Sequence, residues 1–110
     1  GKHVNVDKKT GAILVNKKNL GLVRPGGDMS SRERTYLVAG SLARVYHEQP
    51  SVQPSAEQDG SDLYFGGRRI MSLQYGDDGA AWVEKLNKAA GKGKQPVKQP
   101  VVSNKKGTVA

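Results

Sequence analysis

The stretch Leu63-Tyr64-Phe65-Gly66-Gly67-Arg68-Arg69-Ile70-Met71-Ser72-Leu73-Gln74-Tyr75 decides the fold. Two segments rich in apolar and aromatic residues flank Gly66-Gly67, a dipeptide suited to a tight hairpin turn. In the return segment Arg69, Met71, Leu73 and Tyr75 fall on one face, and Arg68, Ile70, Ser72 and Gln74 on the other. A β-hairpin is therefore predicted here. Segments of helical character lie on both sides of it, which makes the chain a mixture of hairpins and helices and not a run of alternating parallel units.

Upstream, Ser30 and Glu33 have the spacing of a capping box, and Val38, Leu42, Val45 and Tyr46 recur at the spacing of one buried helical face. A helix over about 31–48 follows, with Arg34, Ser41, Arg44 and Glu48 assigned to its opposite face and Gly40 weakening its middle. Nearer the N-terminus Val4 and Val6 alternate with polar neighbours, 7–11 supplies turn chemistry, and 12–15 is apolar, so a first hairpin is predicted. Residues 16–19 form a second polar turn, and Leu20, Leu22 and Val23 a third strand before Arg24-Pro25-Gly26-Gly27 breaks it. Downstream, Asp77 or Asp78 caps a helix whose stripe is Val83, Leu86 and Ala90, with Trp82 beside them, ending at Gly91.

The predicted order is β-β-(β)-α-loop-β-β-α. The expected class is α+β: a small antiparallel sheet of two hairpins, four to five strands, with two helices on one face. One domain over 1–90 is expected, containing a polar Gln/Pro-rich loop at 49–62, with a flexible, disordered basic tail over 91–110. The loop opens on Gln49-Pro50-Ser51-Val52-Gln53-Pro54, and a related hexad, Gln95-Pro96-Val97-Lys98-Gln99-Pro100, lies in the tail. Both favour an extended, solvated backbone.

Composition narrows the chemistry. The 110 residues include no cysteine, which excludes disulfides and thiolate metal sites, and only 35% are hydrophobic, so the core is modest. His3 and His47 show no ligand spacing, and no metal or other cofactor is expected. The longest apolar run, 12–15, is far short of the ~20 residues that cross a bilayer. A soluble protein without integral membrane contact is expected. The chain opens on Gly1 with no signal-like segment behind it, as in an excised domain or a processed product.

The net charge is +8, concentrated at the two ends. Residues 1–27 hold six cations, Lys2, Lys8, Lys9, Lys17, Lys18 and Arg24, against Asp7 alone, and 91–110 hold five lysines and no acid. Two basic elements flanking a nearly neutral body point to a polyanionic partner. The pairs Lys8/Lys9 and Lys17/Lys18 fall in turns at opposite ends of the middle strand of the first hairpin unit.

Several strings carry possible chemistry. Tyr75-Gly76-Asp77-Asp78 resembles the metal-binding signature of RNA-dependent polymerases over these four residues only. Those enzymes need a strand after the aspartates, where this chain reads as helix, so the aspartates are assigned to helix capping. Arg68 and Arg69 beside a glycine turn suit bidentate phosphate contacts. Arg24-Pro25-Gly26-Gly27 precedes a helix but lacks the spacing of a phosphate-binding loop, and Asp28 opposes an anion there. His3, His47 and Arg44 supply the residue types of a metal-independent ribonuclease or toxin-type nuclease, although nothing in the spacing joins the two histidines. No interleaving of exposed rings with cations marks a stacking surface; Trp82 and Tyr46 are assigned to the core.

The expectation is a nonenzymatic module that contacts the phosphate backbone of DNA or RNA through Lys8, Lys9, Lys17, Lys18, Arg68 and Arg69, and through Lys92, Lys94, Lys98, Lys105 and Lys106 of the tail. Such a module fits within a larger assembly such as a virion or ribonucleoprotein particle. The alternatives are the nuclease, and a structural protein whose basic arms grip acidic neighbouring proteins.

Overall fold

A computed structural model describes residues 1–91. Six strands and two helices follow in the order β1 (Val4–Val6), β2 (Ile13–Val15), β3 (Lys18–Gly21), α1 (Ser31–Glu48), β4 (Ala56–Asp59), β5 (Asp62–Phe65), β6 (Arg68–Ser72) and α2 (Gly79–Ala89). The class is α+β. The strands divide into two antiparallel three-stranded sheets, β1-β2-β3 and β4-β5-β6.

The two halves are one βββα plan used twice. Ile13 pairs with Gly21, Leu14 with Asn19 and Val15 with Lys18; fifty residues on, Leu63 pairs with Met71, Tyr64 with Arg69 and Phe65 with Arg68. The register is the same, and so is its defect: Leu20 and Ile70 are the extra residues of matching bulges, and both are buried. The hairpin turns also correspond, with positive φ at Asn16 and Lys17 in one and at Gly66 and Gly67 in the other, the backbone that suits strand twist across a two-residue loop. α1 packs on β1 of its own half and β6 of the other, while α2 packs on β4 of its own half and β3 of the other. The helices thus exchange sheets about a pseudo-twofold relation. A single apolar core results, in which Ile13, Val15, Leu63 and Phe65 from the sheets meet Leu42, Val45 and Leu86 from the helices.

α1 begins as the sequence predicts: Ser30 Oγ accepts from Glu33 N–H at 3.1 Å and Glu33 Oε1 accepts from Ser30 N–H at 2.8 Å. Val38, Leu42 and Val45 are buried and Tyr46 packs against them. Asp78 is the cap of α2, accepting from Ala81 N–H at 3.0 Å, and Gly91 takes a positive φ just past its end.

Four expectations are corrected. The polar segment 49–62 is not loop throughout, because Ala56–Asp59 pairs along β5 as a third strand; only Ala56 of the four turns inward, so no apolar alternation marks it. Asn87 of α2 closes its edge, donating to Ala56 O at 3.2 Å and accepting from Ala56 N–H at 2.7 Å. The strict alternation of 68–75 fails at the bulge, which turns both Ile70 and Met71 inward, and the strand stops at Ser72, leaving Tyr75 exposed. β3 starts at Lys18 and ends at Gly21, so Lys18 and Asn19 are strand and Leu22 is exposed. Arg34 is not on a solvent face: its guanidinium is buried against Asp77, 2.9 Å away, and donates to the carbonyls of Arg24 and Ser72. The tail expected over 91–110 lies outside the described residues beyond Gly91.

Candidate nucleic-acid interface and histidine pocket

Two surface features gather polar and charged side chains, both on the first half. One is a groove of about 300 Å³ where the β1–β2 turn meets the start of α1, lined by Lys8, Lys9, Arg32, Tyr36 and Leu22 among others. Asp7 builds the turn. Its Oδ1 accepts from Lys9 N–H at 2.7 Å and Thr10 N–H at 3.1 Å, and those bonds, from Thr10 first and then Lys9, hold its carboxyl below the usual carboxylate range. The two lysines are thereby fixed at the turn with exposed side chains. From α1, the Arg32 guanidinium carbon lies 5.6 Å from the centroid of the Tyr36 ring, a ring that is 50% exposed. Three cations and an accessible aromatic ring therefore meet in one groove. Arg32 and Tyr36 were legible only as helix residues; they stand four apart, one turn, and together face the Lys8-Lys9 turn.

The other cationic residues named from sequence lie elsewhere. Lys17 and Lys18 are exposed at the far turn of the same sheet and do not line this groove. Arg68 sits 3.3 Å from Glu48 and Arg69 3.7 Å from Asp62, so each guanidinium has a carboxylate beside it. Arg44 also reaches Glu48, at 3.6 Å. Lys92, Lys94, Lys98, Lys105 and Lys106 lie outside the described residues.

The second feature is a pocket of about 400 Å³ that brings together what spacing kept apart: His3 before β1 and His47 in the last turn of α1 both line it, with Lys2, Tyr46 and Pro50. The His3 ring stacks on Tyr46 with centroids 4.3 Å apart and planes within 12°. His3 Nδ1 is 2.9 Å from Asn16 Oδ1, and Asn16 Nδ2 donates to Ala89 O at 2.9 Å and to Tyr46 Oη at 3.3 Å. Burial pushes the Tyr46 hydroxyl pKa up, against the opposing effect of the Asn16 bond, so the phenol stays protonated at neutral pH. Arg44 is not among the residues of this pocket.

Among the described residues no group of three or more His, Asp or Glu side chains is placed to hold a metal ion, and no helix is long and apolar enough to cross a membrane. Asp77 and Asp78 are occupied with Arg34 and with the α2 cap, respectively. No family model, curated protein or solved structure matches the chain.

Proposed function

We propose that the protein binds nucleic acid through its phosphate backbone, with the groove of Lys8, Lys9, Arg32 and Tyr36 as the fixed contact surface and the lysines beyond Gly91 as additional contacts. The observation that supports this reading is the convergence of three cations from two separate elements around a half-exposed ring. Ammonium and guanidinium groups at one groove suit consecutive phosphates, and the aromatic ring offers a surface for a base between them. The Asp7 carboxylate at the same turn stays ionised, held by backbone N–H groups, so the groove sets three cations against one acid.

Fluorescence anisotropy with labelled single- and double-stranded oligonucleotides over a range of salt tests the proposal. Phosphate contacts give a log K against log salt slope of roughly −0.9 each on duplex DNA and −0.7 on single strands. The triple variant K8Q/K9Q/R32Q is expected to flatten the slope by about 2 to 3 units. Tyr36→Ala is expected to weaken single-strand binding by about 1 to 3 kcal/mol with the slope unchanged. Equal affinity of wild type and triple variant at low salt would reject the groove as the contact surface.

A further inference from the structure

The twofold plan of the fold supplies an internal control for the His3 pocket. In the first half the backbone N–H of Asn16 donates to His3 O at 2.7 Å; in the second, Gly66 N–H donates to Ser55 O at 2.9 Å. These are the same bond in the same place. The second half makes it with a serine and a glycine, so this backbone bond requires neither an imidazole nor an amide, although the Asn16 amide also ties the turn to Ala89 O at the end of α2. Asn16 does suit its left-handed backbone, φ 49°, but glycine serves that purpose at 66. What the first half adds is a stacked, hydrogen-bonded histidine beside a second histidine.

The hydrogen bonds assign its proton. Ala89 O only accepts, so the end of the Asn16 amide facing it is Nδ2, and the end facing His3 is Oδ1. Oδ1 accepts, so Nδ1 of His3 carries the hydrogen and, in the neutral ring, Nε2 holds the free lone pair. The imidazole is held in one tautomer by Asn16 and in one plane by Tyr46. A base oriented by a third group is the arrangement of general-base catalysis. His47 and Lys2 line the same pocket.

We propose that this pocket is a phosphodiester-transfer site for single-stranded RNA, with His3 as general base and His47 as general acid, an inference that rests on the nucleic-acid reading above. His3 Nε2 takes the proton of a ribose 2′-hydroxyl, and O2′ attacks the adjacent phosphorus. The P–O2′ bond forms as the P–O5′ bond breaks, and the departing O5′ takes a proton from the His47 imidazolium. The products are a 2′,3′-cyclic phosphate and a 5′-hydroxyl; no water is consumed in this step, and the proton gained by His3 and that lost by His47 balance through solvent. Lys2 faces the charge on the phosphate oxygens. Asn16 acts as a positioning residue, through His3.

The test uses the full chain with a 5′-labelled single-stranded RNA, a chelator to silence contaminating metal nucleases, and a 2′-O-methyl strand of the same sequence as the binding probe. The expected result is cleavage of the RNA to ends carrying cyclic phosphate, with the 2′-O-methyl strand intact. His3→Ala and the exposed-site variant His47→Ala should each slow cleavage by about 100-fold or more while affinity for the 2′-O-methyl strand stays within about twofold. Asn16→Gly, which copies the turn of the second half, should lower the rate about tenfold and move the limb of the pH–rate profile that reports the base. Unfolding midpoints matching the wild type establish that the variants fold. Binding of the 2′-O-methyl strand without RNA cleavage would overturn the catalytic inference and leave the binding proposal standing. Cleavage that His3→Ala and His47→Ala leave undiminished would also overturn it, and failure to bind either strand would overturn both.

Discussion

Arg34 and Asp77, 43 residues apart, form an ion pair at 2.9 Å whose side chains are only 7% and 1% exposed. It ties the start of α1 to the segment between β6 and α2. Arg34 also donates to Arg24 O at 2.7 Å and Ser72 O at 3.0 Å, and Asp77 Oδ2 accepts from Gln74 N–H at 2.7 Å. The charges are thus buried with their hydrogen-bonding capacity largely used. Removing one partner strands the other away from water, so Asp77→Ala should cost about 3 to 5 kcal/mol. The neighbouring cap variant, Asp78→Ala, should cost about 1 kcal/mol. Urea unfolding of the two single variants measures the difference, and equal losses would contradict the buried-pair account.

Acid should expose the same pair. Burial pushes the Asp77 carboxyl pKa up, but the Arg34 hydrogen bond, the Gln74 N–H and the charges of Arg34 and Arg24 outweigh it and hold the carboxyl below its ordinary value. A depressed folded pKa adds stability above the unfolded value of about 3.9, and that stability is lost as pH falls through the folded value. The unfolding midpoint should therefore drop below about pH 4, and Asp77→Asn should show a shallower drop over that interval. Parallel pH curves for the two proteins would remove Asp77 from the acid response.

The turn of the second hairpin discriminates between two adjacent glycines. Gly66 has φ 60° and a Cβ there would stand 2.6 Å from Val45 Cγ1; Gly67 has φ 80° with nothing within 4 Å. Backbone strain of about 1 to 2 kcal/mol applies to alanine at either position. The contact with the core falls on Gly66 alone. Gly66→Ala should accordingly be less stable than Gly67→Ala by about 1 to 3 kcal/mol in chemical denaturation. The reverse order would be inconsistent with this packing.

Removing residues 92–110 deletes five lysines and no acid. If they add phosphate contacts, the salt slope should flatten by about 2 to 4 units. A scrambled 92–110 with the same five lysines should retain most of the affinity, because attraction to phosphate does not depend on residue order. Loss of affinity on scrambling, with the slope unchanged by truncation, would favour docking of this segment on an acidic protein neighbour.

The sequence disclosed the features written in local chemistry. The capping box at Ser30 and Glu33, the apolar row Val38, Leu42 and Val45, and the glycine turn at 66–67 each depend on neighbours within a few residues, and each appears where the spacing puts it. The features that escaped reading depend on distant partners. β4 is polar in three of its four residues and is a strand because β5 pairs with it. Arg34 looked like a surface cation because its acid is 43 residues away. The repeated plan is faintly visible in the sequence, since Ile13, Val15, Lys18 and Leu20 match Leu63, Phe65, Arg68 and Ile70 in character at a constant offset, but none of the four pairs is identical. His3 and His47 share a pocket only because α1 crosses β1, a fact of packing that no local spacing encodes.

The Asn87 amide that takes both backbone groups of Ala56 bears on how copies of this chain behave when crowded. An outer strand with free N–H and C=O groups is a template onto which another chain can add, and a basic protein neutralised by a polyanion loses the charge repulsion that would keep neighbours apart. By filling the outward-facing bonding positions of Ala56 from its own helix, the molecule blocks edge-to-edge polymerisation at that point, and the exposed acids Glu57 and Asp59 repel an identical strand further along. At Ala56 the edge is closed by one asparagine side chain, a protection that does not depend on the net charge.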